Sequence, residues 1–190
     1  MKLKMMILTG LLTLGLTMTA QAATYDIDDK GAHAFIQFKV SHLGYSWLLG
    51  RFNTFDGTFT YDEKNPSASK VQVVIDTASV DTNHALRDKH IRSKDFLMVD
   101  RYPEAKFVST SFTENGNDIE IKGKFTLHGV TKDIVLKGKH IGAGKDPWGG
   151  YRRGFEAWTN IKMKDYGFLM DLGPVSQNVA LYFSIEGIKQ

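Results

Sequence analysis

The sequence contains no cysteine. A disulfide-stapled fold, a cysteine nucleophile and a lipid-modified cysteine at a processed N-terminus are therefore excluded. The fold must be stabilised by its core alone, and a domain of about 150 residues buries roughly 70% of its unfolded surface. A chain of 190 residues is long enough to form one such domain.

The chain also lacks an apolar run long enough for a transmembrane helix, which needs about 20 residues. Its longest run, at residues 5–18, follows two lysines and precedes an Ala-Gln-Ala sequence. A basic start, an apolar centre and an A-x-A site are typical of a secretory signal peptide. We therefore predict that residues 1–22 are a cleaved signal and that residues 23–190 form one exported domain without stable membrane insertion.

A strong excess of one charge is missing as well. The net charge is +3, and two of the 24 basic residues fall in the predicted signal, which has no acidic residue. The remaining 22 basic and 21 acidic residues are nearly balanced, whereas nucleic-acid binding requires clustered lysine and arginine. We predict no nucleic-acid partner.

Period-two alternation is the dominant pattern in the rest of the sequence. In AFIQFKVSH, for example, Ile36, Phe38 and Val40 share one face of an extended chain. This alternation is typical of half-buried antiparallel strands and predicts an all-β fold, either a barrel or a sandwich. Eight segments show a strand pattern: residues 34–42, 55–62, 70–76, 105–112, 118–129, 133–142, 154–163 and 178–189.

Two short segments favour helix instead. HLGYSWLLG predicts one helical turn, and TNHALRDKHIRSKDF predicts a longer helix capped by Thr82 or Asn83. In the longer segment, His84 and His90 are six residues apart and lie on different helix faces, whereas helical zinc ligands are four apart. We predict no metal site there. Asp88 lies next to Arg87, which favours capping and ion pairing and therefore a structural or lid role for this segment. Contact with a ligand head group is the alternative.

Signals for nucleophilic catalysis are weak. The sequence has no G-x-S-x-G motif, and the neighbours Ser41 and His42 point to opposite faces of a strand. We predict no catalytic residues and no enzyme, although a triad of distant residues stays open. His42 continues the apolar face of its strand and marks the point at which that face turns polar, where a ligand head group could contact it.

Aromatic residues are frequent: 12 phenylalanines, seven tyrosines and three tryptophans make 12% of the chain. Aromatics have high strand propensity, so packing is one interpretation. An eight-stranded barrel, however, is wide enough either to be filled by side chains or to hold one small ligand. The pattern alone leaves a packed core and an apolar pocket open.

Five blocks of the sequence are distinctive. In order they are HAFIQFKVSHLGYSWLLGRFNTFDGTFTYDEKNP, VDTNHALRDKHIRSKDFL, RYPEAKF, GKFTLHGVTKDIVL and DPWGGYRRGFEA. Together they resemble the YceI family of bacterial periplasmic proteins over residues 24–188, with one departure at Asp133, where proline is common in the family. The resemblance implies a single eight-stranded, antiparallel, lipocalin-like β-barrel in the periplasm, with the helical segment capping one end.

The same resemblance implies a non-catalytic carrier in a family associated with stress responses. Its apolar cavity would hold a polyisoprenoid, an isoprenoid quinone or a fatty-acid-type lipid, with no metal or other cofactor. We expect His42, Arg87 and His90 to orient the head group of this lipid. The residues expected to line the cavity and its mouth are Phe38, Val40, His42, Tyr45, Phe52, Phe55, Phe59, His84, Arg87, His90, Phe96, Trp148 and Phe155.

Two other hypotheses remain open from the sequence. An enzyme that modifies the bound amphiphile would turn its cargo over and would carry an ionisable group with a strongly shifted pKa beside the head group. A packed-core structural protein would have no cavity and would purify empty. A homodimer through an exposed strand edge or aromatic patch is also left undecided.

Overall fold

The computed structural model describes residues 22–30 and 33–190. The predicted signal peptide lies outside these residues, apart from Ala22. The described residues form eleven strands, one α-helix and several short 3₁₀ turns. The elements are β1 (Ala23–Ile27), β2 (Phe35–His42), β3 (Ser46–Phe52), β4 (Phe55–Tyr61), β5 (Lys70–Asp76), β6 (Val80–Asp81), α1 (Ala85–Arg92), β7 (Glu104–Asn115), β8 (Asp118–Leu127), β9 (Val130–Lys145), β10 (Tyr151–Lys162) and β11 (Asn178–Lys189).

Eight of these strands close into an antiparallel barrel. Their order around the barrel is β1, β4, β5, β7, β8, β9, β10 and β11, and β11 pairs back onto β1. Every strand pair is antiparallel. The predicted all-β class and eight-stranded antiparallel barrel are therefore confirmed.

The barrel differs at its two ends. On one edge of β11, residues 187–189 pair with β1, whereas residues 179–184 pair with β2. Beyond β2 the sheet continues only to β3 and the two-residue β6. We call the end sealed by β1 the closed end, and the end flanked by β2, β3 and α1 the open end.

Alternating burial along the strands builds the core. In β8, charged side chains point outward between buried apolar ones, as the sequence pattern predicts. The buried apolar residues of β8 are Ile119, Ile121, Phe125 and Leu127.

Among the described residues, none of the helices has the length and apolar character that crossing a bilayer requires.

The segment HLGYSWLLG is not a helical turn, and that prediction was wrong. It is the tip of a hairpin followed by β3, which pairs with β2 along its whole length. Leu43 and Gly44 at the tip have φ angles of 54° and 82°. Glycine adopts such positive φ angles without steric cost, so the chain reverses within a few residues and returns as a strand.

The predicted helix exists, but its cap is His84 and not Thr82 or Asn83. The Nδ1 atom of His84 accepts a hydrogen bond from the backbone N–H of Arg87 at 3.2 Å. Thr82 has another role, because both its N–H and its hydroxyl donate to Oδ1 of the buried Asp88, at 2.8 and 2.5 Å. These bonds hold the helix against the strand that precedes it.

Candidate functional site

The open half of the barrel encloses a cavity of about 560 Å³. This volume is within the range of small-molecule binding pockets. The interior of this half is therefore a pocket and not a packed core. The sequence pattern alone does not decide between these two possibilities. Its walls are inward-facing apolar side chains: Ile36, Phe38, Val40, Leu48, Phe52, Ile75, Val80, Ala105, Phe125, Leu127, Ile161, Val179, Leu181 and Phe183.

Three segments surround the mouth of this cavity: the β2–β3 hairpin, α1 with the turn after it, and the segment 163–176 between β10 and β11. All polar side chains of the cavity belong to these segments. A bound ligand would therefore meet polar groups at the mouth and apolar groups everywhere else. The polar side chains are Ser41, His42, Arg87, His90, Asp171 and Ser176.

Phe38 is positioned by the glycine that faces it on β3. A Cβ atom at Gly50 would lie 2.3 Å from Cζ of Phe38, so the ring lies against the bare backbone of this glycine. Phe52 packs beside it, with ring centroids 5.7 Å apart. Any side chain at position 50 would displace the Phe38 ring, and glycine therefore sets the width of the cavity on this side.

Towards the closed end the cavity narrows. A small void of about 70 Å³ continues from it, and the two share Ile75, Phe125 and Phe183 as walls. At the far side of this void, Phe155 packs edge to face against Phe59 and Phe112, with ring centroids 5.6 and 6.2 Å apart. Edge-to-face packing is a favourable aromatic arrangement. This ring cluster limits the depth to which a ligand chain can extend.

A buried polar network lies beyond the aromatic rings. The side chain of Arg153 is 3% exposed, and its guanidinium donates to Glu63 at 2.6 Å and to Nε2 of His140 at 3.0 Å. Because Nε2 accepts, the hydrogen of this imidazole is on Nδ1, which donates to Glu114 at 3.2 Å. The guanidinium also lies over the ring of Tyr61, 3.9 Å from its centroid. Every charged group here has partners, as buried charges require.

Tyr61 completes this network. Its hydroxyl donates to Oε2 of Glu114 at 2.6 Å. Burial, followed by this hydrogen bond, raises the pKa of Tyr61 to about 12, so the phenol stays protonated and remains a donor. The closed end is thus filled by mutually paired groups, and the cavity opens at the other end.

A second ion cluster lies on the outside of the closed end. Asp28, His33 and Glu186 each bring one ligand atom within 4.8 Å of the others, a spacing that suits a metal ion. Arg152, however, donates to Asp28 and Glu186, and also to Asp146 at 2.9 Å. The guanidinium supplies the positive charge that a metal would bring, so we interpret the cluster as an ion-pair network.

The polar groups at the mouth are held by local contacts. Arg87 donates through Nε and Nη2 to the hydroxyl and carbonyl oxygens of Thr82, at 2.7 and 2.6 Å. His90 pairs with Asp95 at 3.2 Å. Arg87 and His42 also border a polar groove of about 620 Å³, which lies between β3 and the chain leading into α1. Arg87 and His42 can therefore contact a ligand head group that lies either in the cavity or in the groove.

The thirteen residues that the sequence predicted for the site fall into three groups. Phe55 is buried away from the cavity, His84 caps α1, Tyr45 is at the hairpin tip and Trp148 lies over Arg152 at the closed end, so these four do not line the cavity. Phe59 and Phe155 line the narrow extension. The seven that line the main cavity are Phe38, Val40, His42, Phe52, Arg87, His90 and Phe96.

Sequence reasoning missed two groups of lining residues. Leu181 and Phe183 are on the inward face of β11, and the alternation of that strand would have identified them. Phe168, Leu172 and Ser176 belong to the segment between β10 and β11, which has no regular period. Only the three-dimensional fold brings this segment to the mouth.

Comparisons with known proteins agree with this architecture. A family model described as YceI-like domain matches residues 25–187. A UPF0312 protein of Pseudomonas aeruginosa is 61% identical over 171 residues, which cover 90% of each chain.

Two solved structures share the fold at low sequence identity. BcnA of Burkholderia cenocepacia aligns over 85% of this chain and 99% of its own, with a TM-score of 0.76 and 21% identity. A polyisoprenoid binding domain of Saccharophagus degradans aligns over 87% of this chain and 98% of its own, with a TM-score of 0.64 and 19% identity. At these identities the likeness concerns the fold.

Proposed function

This chain belongs to the YceI-like family, and on that premise we propose that it is a non-catalytic periplasmic carrier of a long-chain amphiphile. The cargo is a polyisoprenoid, an isoprenoid quinone or a fatty-acid-type lipid. The observation that carries this proposal is the apolar cavity of about 560 Å³, whose polar groups are confined to its mouth. The Saccharophagus degradans domain of the same fold is described as polyisoprenoid binding, which favours the first of these cargoes.

Apolar burial would supply most of the affinity. Removing apolar surface from water contributes roughly 25 cal/mol per Å², so a chain that buries about 400 Å² gains about 10 kcal/mol before the costs of ordering. The cavity of about 560 Å³ continues into a void of about 70 Å³ that ends at Phe59, Phe112 and Phe155, and this narrowing favours a chain-like ligand.

The polar groups at the mouth would orient the head group. Ser176 also lines the mouth, but its hydroxyl is buried and is less accessible to a cargo than the other polar groups there. Arg87, His42 and His90 lie on other sides of the mouth and would contact a larger or anionic head group.

Native mass spectrometry of the protein purified from periplasm, followed by solvent extraction, tests the proposal. We expect a discrete adduct that extracts as an isoprenoid or acyl lipid and stays chemically unchanged on incubation. Turnover of the cargo would indicate an enzyme. A folded protein that is empty and takes up neither quinone nor fatty acid would favour a structural role.

A pair of charge substitutions on β2 locates the cargo. Phe38→Asp places a carboxylate in the cavity wall, whereas Phe35→Asp places one on the outer face of the same strand. We expect the first variant to lose its lipid and the second to keep it, because burying a charge against a lipid chain is unfavourable. Val40→Trp, which narrows the cavity without a charge, should also reduce loading. A folded Phe38→Asp protein with its full lipid load would contradict this placement.

A further inference from the structure

The open end carries a concentration of exposed apolar side chains. Fifteen large apolar residues are exposed in the described part of the chain, and eight of them lie on the three segments that surround the mouth. Five of the other seven are 38–40% exposed, about as much as Met170 at 37%, and are spread along the outer faces of strands. We call the eight residues the rim: Leu43, Tyr45, Trp47, Leu49, Leu86, Leu169, Met170 and Val175.

The most exposed rim residues are at the tips of their segments. Tyr45 is 86% exposed in the hairpin turn, and Leu169 is 81% exposed between β10 and β11. Leu43 is 58% exposed and also borders the cavity. The apolar surface is therefore continuous from the outside of the rim into the cavity. Contiguous apolar surface on a soluble domain marks an interaction site more often than scattered single residues do.

Basic side chains flank the rim. Arg87, Lys89, Arg92 and Lys94 follow one another along α1 and the turn after it. The acidic residue among them, Asp88, is buried and bonded to Thr82.

On the β2–β3 hairpin, a basic side chain also lies beside an aromatic residue of the rim. Lys39 lies over the ring of Trp47, 4.6 Å from its centroid. Asp95 pairs with His90. The third segment carries two exposed carboxylates, Asp165 and Asp171, so the excess of basic side chains lies on α1 and the turn after it. Exposed tyrosine and tryptophan next to lysine and arginine are typical of surfaces that bind in the interface of anionic membranes.

We propose that the rim docks onto the surface of a bilayer containing anionic phospholipids. The apolar tips insert among the head groups, and the cations of α1 meet the lipid phosphates. The mouth of the cavity then faces the bilayer, so a lipid passes between membrane and cavity without crossing water. This last step rests on the proposed carrier function, whereas the docking itself does not.

Sedimentation with vesicles tests the docking. The wild-type protein is mixed with vesicles of phosphatidylglycerol and phosphatidylethanolamine, or of phosphatidylcholine alone. We expect co-sedimentation with the anionic vesicles and weaker binding at high salt, because salt screens the contribution of α1. The double variant Tyr45→Ser/Leu169→Ser should bind roughly tenfold more weakly, since it loses both inserted side chains.

The matched control is Ile141→Ser, which removes an apolar side chain of similar size that is 65% exposed near the closed end. It should bind like the wild type. Equal binding by the wild type and the rim variant, or no binding by the wild type, would overturn the proposal. A wild type that is dimeric in solution and becomes monomeric in the rim variant would instead assign the rim to a second copy of the chain.

The cargo of each protein is measured on the same samples by native mass spectrometry. A rim variant that keeps its cargo but loses vesicle binding supports docking separately from carriage. A wild type that binds vesicles but never contains lipid would refute the carrier function and leave the docking in place.

Discussion

At the closed end, Arg153 is 3% exposed and still contacts Glu63, His140 and the ring of Tyr61. At the open end, the Arg51 side chain is 52% exposed and reaches one carboxylate at 3.4 Å. A buried charge that loses a partner is strongly destabilised, whereas an exposed one exchanges its partner for water at little cost. We therefore expect the closed end to resist opening more strongly than the open end.

The backbone shows the same difference. At the closed end, β1 is hydrogen-bonded to β4 on one side and to β11 on the other. At the open end, β3 pairs with β6 only at Arg51 and Phe52, so in the described part of the chain no strand covers the outer edge of residues 46–50. An edge without a ladder opens at lower free energy than a paired strand. Ligand exchange is therefore expected between β3 and α1.

Among the variants that test this difference between the two ends of the barrel, we expect the largest effect from Arg153→Met. The variant keeps much of the apolar stem but removes the partner of Glu63 and the donor to Nε2 of His140. We expect a loss of about 2 kcal/mol in the free energy of unfolding, measured by urea titration, because Nε2 of His140 is left in a partly buried position without its donor. Glu63 is largely exposed and exchanges its partner for water. Lipid content should be unchanged in the folded fraction, because the mouth is at the other end.

A loss below about 1 kcal/mol for Arg153→Met would show that His140, Glu114 and Tyr61 satisfy one another without the guanidinium. The closed end would then owe its order to strand pairing and aromatic packing. The urea dependence of the transition should keep its slope, since the same surface is exposed on unfolding.

Much of the barrel could be predicted from the sequence because its signal is local. Alternation in strands such as β8 fixes both the element and its buried face, so the antiparallel class and seven of the eight barrel strands follow from pattern. The eighth predicted strand is β2, which lies outside the closed ring. The hairpin after β2 was missed because HLGYSWLLG has no strict alternation of apolar and polar residues. β1 was missed because it is only five residues long.

The site was less predictable than the barrel. Phe38 and Val40 could be identified because the cavity face of a strand is also its apolar face, whereas Phe52 was expected only from the family resemblance. Ser176 could not be identified, because the segment that contains it reaches the mouth only through the fold. The buried network around Arg153 was also missed, since its members come from β4, β7, β9 and β10 and the turn after β4, which are distant in sequence.

An intermediate effect is expected from Tyr61→Phe. The variant removes the hydrogen bond to Glu114 and should cost about 1.5 kcal/mol at neutral pH. The folded state raises the pKa of Tyr61 to about 12, above the ordinary value of 10 for a free phenol. The corresponding stability is fully present below pH 10 and is lost as the pH rises towards 12.

Urea titrations between pH 8 and about 12 check this dependence. We expect the wild type to lose stability more steeply than Tyr61→Phe above pH 10. Tyr166, whose pKa burial also raises to about 12, contributes equally to both proteins, so their difference reports Tyr61. Parallel curves would show that this phenol is not shifted in the folded protein.

The smallest effect is expected from Arg51→Met, the same substitution as at Arg153 but at the open end. The pKa of Asp81 is lowered first by the backbone N–H of Asn83 and then by the side chain of Asn53, with Arg51 a lesser contributor. Both stronger partners remain in the variant. We therefore expect no measurable change in the free energy of unfolding. NMR titration should show that the Asp81 pKa is still below its usual range. A loss comparable to that of Arg153→Met would mean that the open end is held by its charges as firmly as the closed end, and ligand exchange would then need another route.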